Sequence, residues 1–206
     1  MGPADVTERF RIVTTGRVKI TRSNSRDGHE LIVWLLGPGD GFDIVSLLDG
    51  EPHAVSAWAL DDVTILSAPM PVVRQWLERF APLRLAMHRY AARKLRELTE
   101  LASDLALHDT SARLARLLLR HIDTRRRSDK PCIDPLLDLP QDELASMIGS
   151  VRVVVSRILA DLKREGIVSV QDGTLRIESL KRLLRRADDH GHAARRRARS
   201  SRAALG

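Results

Sequence analysis

At Pro82 the hydrophobic period of this chain changes, and that change restricts the fold more than any other feature of the sequence. Before it, apolar residues alternate with polar ones in short runs broken by glycine. "RIVTTGRVKITR" and "AVSAWALDDVTILSA" read as strands, "DGHELIVWLL" starts after a turn signal at Asp27-Gly28, and "GPGDGF" is a tight turn. After it, "PLRLAMHRYAARKLRELTELASDLALHD" has no glycine and is built from strong helix formers. Strands followed by helices predict a segregated α+β chain with an antiparallel sandwich or roll first. Val72 to Phe80, just before the change, reads as a short amphipathic helix.

Within the long helix, Met87, Ala91, Leu98, Leu101 and Leu105 follow a near-heptad seam interrupted by Lys94. Such a seam suits a helix lying on the β-domain, and its length favours a homodimer interface. A second helix, "TSARLARLLLRHIDTRRR", starts at Thr110 as its capping residue and ends in a basic run. "SDKPCIDPLLD" is a proline-broken connection. "LPQDELASMIG" has Pro140 at the first helical position, acids in the first turn and Gly149 at the stop. A basic helix follows, and "IVSVQDGTLRI" then forms a hairpin turning at Asp172-Gly173. Helix, glycine turn, basic helix, hairpin is the order of a winged helix-turn-helix.

The basic helix contains "SVRVVVSR". A 3.6-residue period turns Val151, Val155, Ile158, Leu159 and Leu162 inward and sends Val153 and Arg157 out together. An arginine donates two bonds to guanine O6 and N7, whereas a valine offers only contact with apolar groups such as a thymine methyl. Arg152, Val153 and Arg157 are therefore the base-reading candidates. Ser150, Ser156 and Gln141 are candidate phosphate donors. The formal charge of +7 agrees with a polyanionic partner, double-stranded DNA first. One cysteine, Cys132, provides neither an internal disulfide nor an iron–sulfur cluster. No apolar run approaches a membrane span, so a soluble, cytoplasmic protein without a membrane partner is expected. No catalytic triad, metal-ligand spacing or phosphate loop suggests an enzyme.

From about Ile12 to about Arg186 the chain resembles the CRP/FNR family of bacterial transcription regulators. "IVTTGRVKI" is similar to the family's strand and glycine turn, and "GPGDGFDIVSLLDGEPHAVSAWALDDVTIL" to its effector-pocket strands. "SVRVVVSRILADLKREGIVSV" is similar to its recognition helix and wing, and is the most specific of the three. The resemblance implies a jelly-roll-like β-roll of the cyclic-nucleotide-binding type, a dimerisation helix and a winged helix that binds palindromic operators. RNA polymerase would be a further partner if the protein activates. The divisions expected are residues 1–81 for a partial roll, 82–108 for the dimer helix, 109–186 for the DNA-binding domain and 187–206 for a basic disordered tail.

Three departures from the family pattern matter. Several strands expected before Gly16 are absent, which would leave an open sheet edge; the alternatives are an N-terminus upstream of Met1, the favoured expectation, and an incomplete roll. The family's Gly-Glu and Arg-Ser pocket positions read Asp43-Ile44 and Val55-Ser56, and the purine-contacting position is Leu98, with Thr99 beside it. Valine cannot grip a cyclic phosphate as arginine does, so classical cyclic AMP binding is not expected. An iron–sulfur sensor is not expected either. Haem remains open through His53, His88 or His108, and the effector is unassigned. The family's Arg-Glu-x-x-x-Arg pattern falls on Arg152, Val153 and Arg157, with valine where the glutamate stands. The alternative to an effector-controlled regulator is a constitutive DNA-binding architectural protein with a vestigial roll.

Overall fold

The computed structural model describes residues 8–24, 28–123, 132–133, 139–171 and 174–188. The chain divides into two compact units, 1–100 and 101–206.

Among the described residues the first unit is built on six strands: β1 (Arg9–Thr15), β2 (Val18–Ser23), β3 (Glu30–Leu36), β4 (Gly41–Phe42), β5 (Ser56–Ala59) and β6 (Thr64–Pro69). They form two antiparallel three-stranded sheets, ordered β4-β1-β6 and β3-β2-β5. Period-two alternation sends one set of side chains between the sheets. Val13, Val18, Ile20, Leu36, Phe42, Val55 and Ala57 make that core. The opposite face of β1 presents Phe10 and Ile12 to a second cluster with Ile44, Leu47, Met70 and Val73. Those residues come from α1 (Ile44–Asp49) and α2 (Met70–Arg79). Helix α1 was not anticipated, because six residues are too few to show a period; α2 starts two residues earlier than expected.

Two glycines are required by geometry. Gly16 has φ +77° in the β1–β2 turn, where a Cβ would stand 2.3 Å from the Asp62 carbonyl oxygen. A Cβ on Gly41 would meet the Phe10 ring at 2.5 Å. Strands β5 and β6 are the margins of their sheets among the described residues, and Trp58, Ile65 and Leu66 on them are exposed.

Helix α3 (Ala81–Leu107) begins on the roll. Met87, Tyr90 and Ala91 pack against the second cluster. The expected dimer seam is thus divided: Met87 and Ala91 are taken up within the subunit, while Leu98 and Leu105, further along the same stripe, stay 39% and 36% exposed. Leu101 is half-buried. A 27-residue helix outruns the surface it covers, so one stripe serves two purposes. None of the helices among the described residues is long and apolar enough to cross a membrane.

In the second unit, α4 (Thr110–Arg120) buries Ala112, Leu114, Ala115, Leu117 and Leu118. Its cap is Asp109, not Thr110: the Asp109 carboxylate accepts from the Ala112 N–H at 2.9 Å. Either residue type suits the position; the backbone chose the one in extended conformation. Arg116 and Arg120 donate to the two carboxylate oxygens of buried Asp104, near the end of α3, at 2.5 and 2.6 Å. The second helix was expected to run on into its basic run, but α4 ends at Arg120 and Ile122–Asp123 forms β7. It pairs with β8 (Cys132–Ile133), from the proline-broken connection, in a sheet ordered β7-β8-β10-β9. Arg125 to Arg127 lie outside the described residues.

Helices α5 (Gln141–Met147) and α6 (Arg152–Arg164) are followed by the hairpin β9 (Val168–Gln171) and β10 (Thr174–Ile177). The expected turn at Asp172-Gly173 lies outside the described residues, as does Asp27. Pro140 is the residue before α5, not its first. A further helix, α7 (Leu180–Asp188), closes the unit with Leu183 and Ala187 buried; its last two residues fall where a disordered tail was expected. The rest of that tail lies outside the described residues.

Candidate nucleic-acid interface and effector pocket

The turn between α5 and α6 is a glycine stop. Gly149 takes φ +58°, and the Ser150 N–H reaches back to the Ala145 carbonyl at 2.9 Å. Helix α6 then presents the two faces that its period requires. Val155, Leu159 and Leu162 are buried, and Ile158 is half-buried. Arg152, Val153, Ser156 and Arg157 are exposed, Val153 by 68%. An outward valine gains nothing from a free surface; beside two arginines it forms a mixed apolar and cationic strip. Val151 departs from expectation. It is the extended residue preceding α6 and is 45% exposed, because the helical period does not reach a residue with φ −117° and ψ 151°. It therefore does not hold the helix to its domain.

Ser150 and Gln141 are half-buried at the turn and at the start of α5. Arg152 stands 3.7 Å from Asp142 with both side chains largely in water, a pair too exposed to hold the arginine away from a phosphate or base. Arg113, on α4, has a role that its sequence position does not reveal: it donates to the Ile148 carbonyl at 2.7 Å and so fastens the turn that launches α6. Burial pulls its guanidinium below the usual arginine range, with Asp109 and Asp104 opposing.

In the roll, Asp43, Ile44 and Val55 line a space of about 10 Å³ together with Trp34, His53 and Lys94. That is room for about one water. Val55 belongs to the inter-sheet core. Ser56 is half-buried on β5. Leu98 and Thr99 are exposed on α3, where the Thr99 hydroxyl donates to the Leu95 carbonyl at 2.9 Å.

Asp43 has φ +69°, a left-handed conformation that no other non-glycine adopts among the described residues. Its side chain is buried; neither carboxylate oxygen has a well-formed hydrogen bond, and the His53 Nδ1 lies 3.7 Å away. Desolvation raises its carboxyl above the ordinary range, against smaller lowering effects of neighbouring Ser46 and of His53. The Trp34 indole N–H and the Ser46 hydroxyl are likewise buried without partners.

Helix α3 grips this pocket through β4. The Tyr90 hydroxyl donates to the Gly41 carbonyl at 2.5 Å and accepts from the Gly41 N–H at 3.0 Å. Burial first, then Asp40, raises the Tyr90 phenol, which keeps it a donor. Lys94, the interruption in the heptad seam, is buried; its ammonium lies 2.9 Å from Glu97, 3.6 Å from Asp40 and over the Tyr90 ring. A lone cation in an apolar stripe is legible in sequence as an anomaly, but not as a side chain turned toward a pocket.

A β-roll carrying a small buried pocket, a long helix and a winged helix-turn-helix with a cationic outward face define a DNA-binding regulator with a sensor unit. The model of the cyclic nucleotide-binding domain matches residues 3–80, and that of the Crp-like helix-turn-helix domain matches residues 112–186. The chain is 33% identical to the global nitrogen regulator of a Nostoc species over 176 residues, 82% of this chain and 76% of that protein. It is 29% identical over 180 residues to the CRP-like cAMP-activated global transcriptional regulator of Mycobacterium tuberculosis, covering 87% of this chain and 80% of that one. The fold is that of FixK2 from Bradyrhizobium japonicum, with a TM-score of 0.74 at 22% identity over 87% of each chain. The chain belongs to the CRP/FNR family of bacterial transcription regulators.

Proposed function

We propose that this regulator acts as a homodimer that reads a palindromic operator through α6. Arg152 and Arg157 donate to guanine edges, Val153 meets a thymine methyl, and Ser150, Ser156 and Gln141 donate to phosphates. Leu98, Leu101 and Leu105 supply the seam between subunits. The observation that carries the reading is the division of α6: a buried Val155–Leu159–Leu162 stripe opposite an exposed Val153 and Arg157, one turn apart. The DNA-bound protein works in the cytoplasm, and as an activator it would meet RNA polymerase.

Classical cyclic AMP binding is not proposed for the roll. Its pocket holds about one water, has valine where a phosphate would need a guanidinium, and presents the buried Asp43 carboxyl instead. That closure also favours a second reading, constitutive DNA binding with the roll as a scaffold. In-vitro selection of DNA by the full chain, followed by Arg157→Ala on the selected site, tests the first. A lost bidentate base contact costs about 1–3 kcal/mol of discrimination and spares random DNA. Equal loss on both DNAs would reduce Arg157 to a backbone contact. Titration of small-molecule effectors against operator affinity separates the two readings: a regulator responds, a scaffold does not.

A further inference from the structure

The recognition helix is held at its far end by α7, which carries none of the candidate DNA-reading side chains. Glu165 is the residue closing α6. Its backbone carbonyl accepts from Arg182 Nη1 at 2.6 Å, and its carboxylate pairs with Arg186 Nη2 at 2.6 Å. Both arginines belong to α7, four residues apart and so on one face. Helix α7 is itself fixed against α4, with Leu183 fully buried and Ala187 nearly so. A carboxylate at a helix C-terminus is electrostatically misplaced, since that end already carries partial negative charge. Arg186 resolves the conflict at Glu165, and Arg182 answers an orphan carbonyl of the last turn.

We infer that α7 is a positioning element for DNA reading: the Glu165–Arg182–Arg186 contact sets the tilt of α6 and thereby its discrimination between sequences. The apolar stripe of Val155, Leu159 and Leu162 fixes which face of α6 turns inward, but such contacts are non-directional and leave tilt and small slides cheap. Directional bonds stand at the two ends. Arg113 fastens the Ile148 carbonyl before the helix, and the α7 arginines fasten Glu165 after it. From Arg152 to Glu165 the helix rises about 20 Å, so a tilt of about 5° about its C-terminal end displaces Arg152 by nearly 2 Å. Two parallel hydrogen bonds to one guanine do not survive such a displacement, whereas attraction to phosphates does. The contact therefore acts on specificity more than on affinity for DNA in general. This inference rests on α6 being the reading helix.

The test uses the full chain and the operator that wild type enriches from random sequence, with enrichment scored first. Affinities for that operator and for random duplex are measured for Arg186→Gln, Glu165→Gln, the double variant and Arg186→Lys. Thermal unfolding is followed on the same samples. Each neutralising variant is expected to lower the operator-to-random affinity ratio roughly three- to tenfold. The double variant should lose no more than either single one, and Arg186→Lys should recover most of the ratio. A variant that merely folds less well loses both affinities together; Arg182→Gln, which removes only the bond to the carbonyl, then takes its place. Three results would overturn the assignment: an unchanged ratio, additive losses in the double variant, or equal loss on both DNAs with a shallower salt dependence, the mark of a phosphate contact. No enrichment by wild type would refute the reading role of α6, and the clamp with it.

Discussion

Asp104 should behave asymmetrically with its two partners. Its side chain is 2% exposed, whereas those of Arg116 and Arg120 are 32% and 31% exposed. Asp104→Ala frees two guanidiniums that already reach water, so most of their desolvation cost is recovered on truncation. The expected loss is about 1–3 kcal/mol, the net worth of hydrogen bonds to charged groups. Arg116→Met or Arg120→Met alone leaves the carboxylate one partner and should cost about 1–2 kcal/mol. The double variant strands a carboxylate that cannot rehydrate and should cost about 3–5 kcal/mol, more than either single loss. Urea unfolding of the full chain is the assay. Trp34, Trp58 and Trp76 all lie in the first unit, so their fluorescence should report an unchanged transition there. Far-UV circular dichroism should show the second unit unfolding earlier. A double variant costing no more than Asp104→Ala would refute the argument that the stranded carboxylate dominates.

Val153→Glu should shift selected operators toward cytosine at one base pair and lower affinity for random DNA; identical selections by both proteins would show that position 153 touches no base. Asp43→Asn should stabilise the roll at neutral pH. The raised folded pKa means that the bound proton stabilises the fold fully below 3.8 and that this contribution is lost as pH rises through the folded value, so the advantage of asparagine should vanish on acidification. Thermal unfolding of both proteins from pH 3 to 7 would contradict this if the difference stayed constant. Leu98→Glu with Leu105→Glu should give monomers in sedimentation, since each buried leucine is worth about 1.5–3 kcal/mol to an interface. Calorimetry with cyclic AMP should show no binding linked to operator affinity, and a micromolar response would overturn the closed-pocket reading.

The α+β division, the winged helix and the outward placement of Val153 and Arg157 were legible in the sequence because each rests on a local period. Alternation between Arg9 and Pro69, a glycine-free helix after Pro82 and a 3.6-residue stripe in α6 need no knowledge of distant neighbours. Val151 marks the limit of that reasoning: the period is a property of helical backbone, and Val151 stands outside it. The departures of the pocket, Asp43 and Val55, were legible as residue types through the resemblance. The tertiary structure alone decided what depends on contacts between elements far apart in the chain. It divided the α3 stripe, turning Met87 and Ala91 to the roll and leaving Leu98 and Leu105 exposed. It folded Lys94 toward the pocket, where the seam showed only an interruption. It brought Arg182 and Arg186 to Glu165, and Arg116 and Arg120 to Asp104, pairings that no spacing encodes. A charged side chain's partner is set by which surfaces the apolar stripes bring face to face, so it is fixed only when the chain has folded.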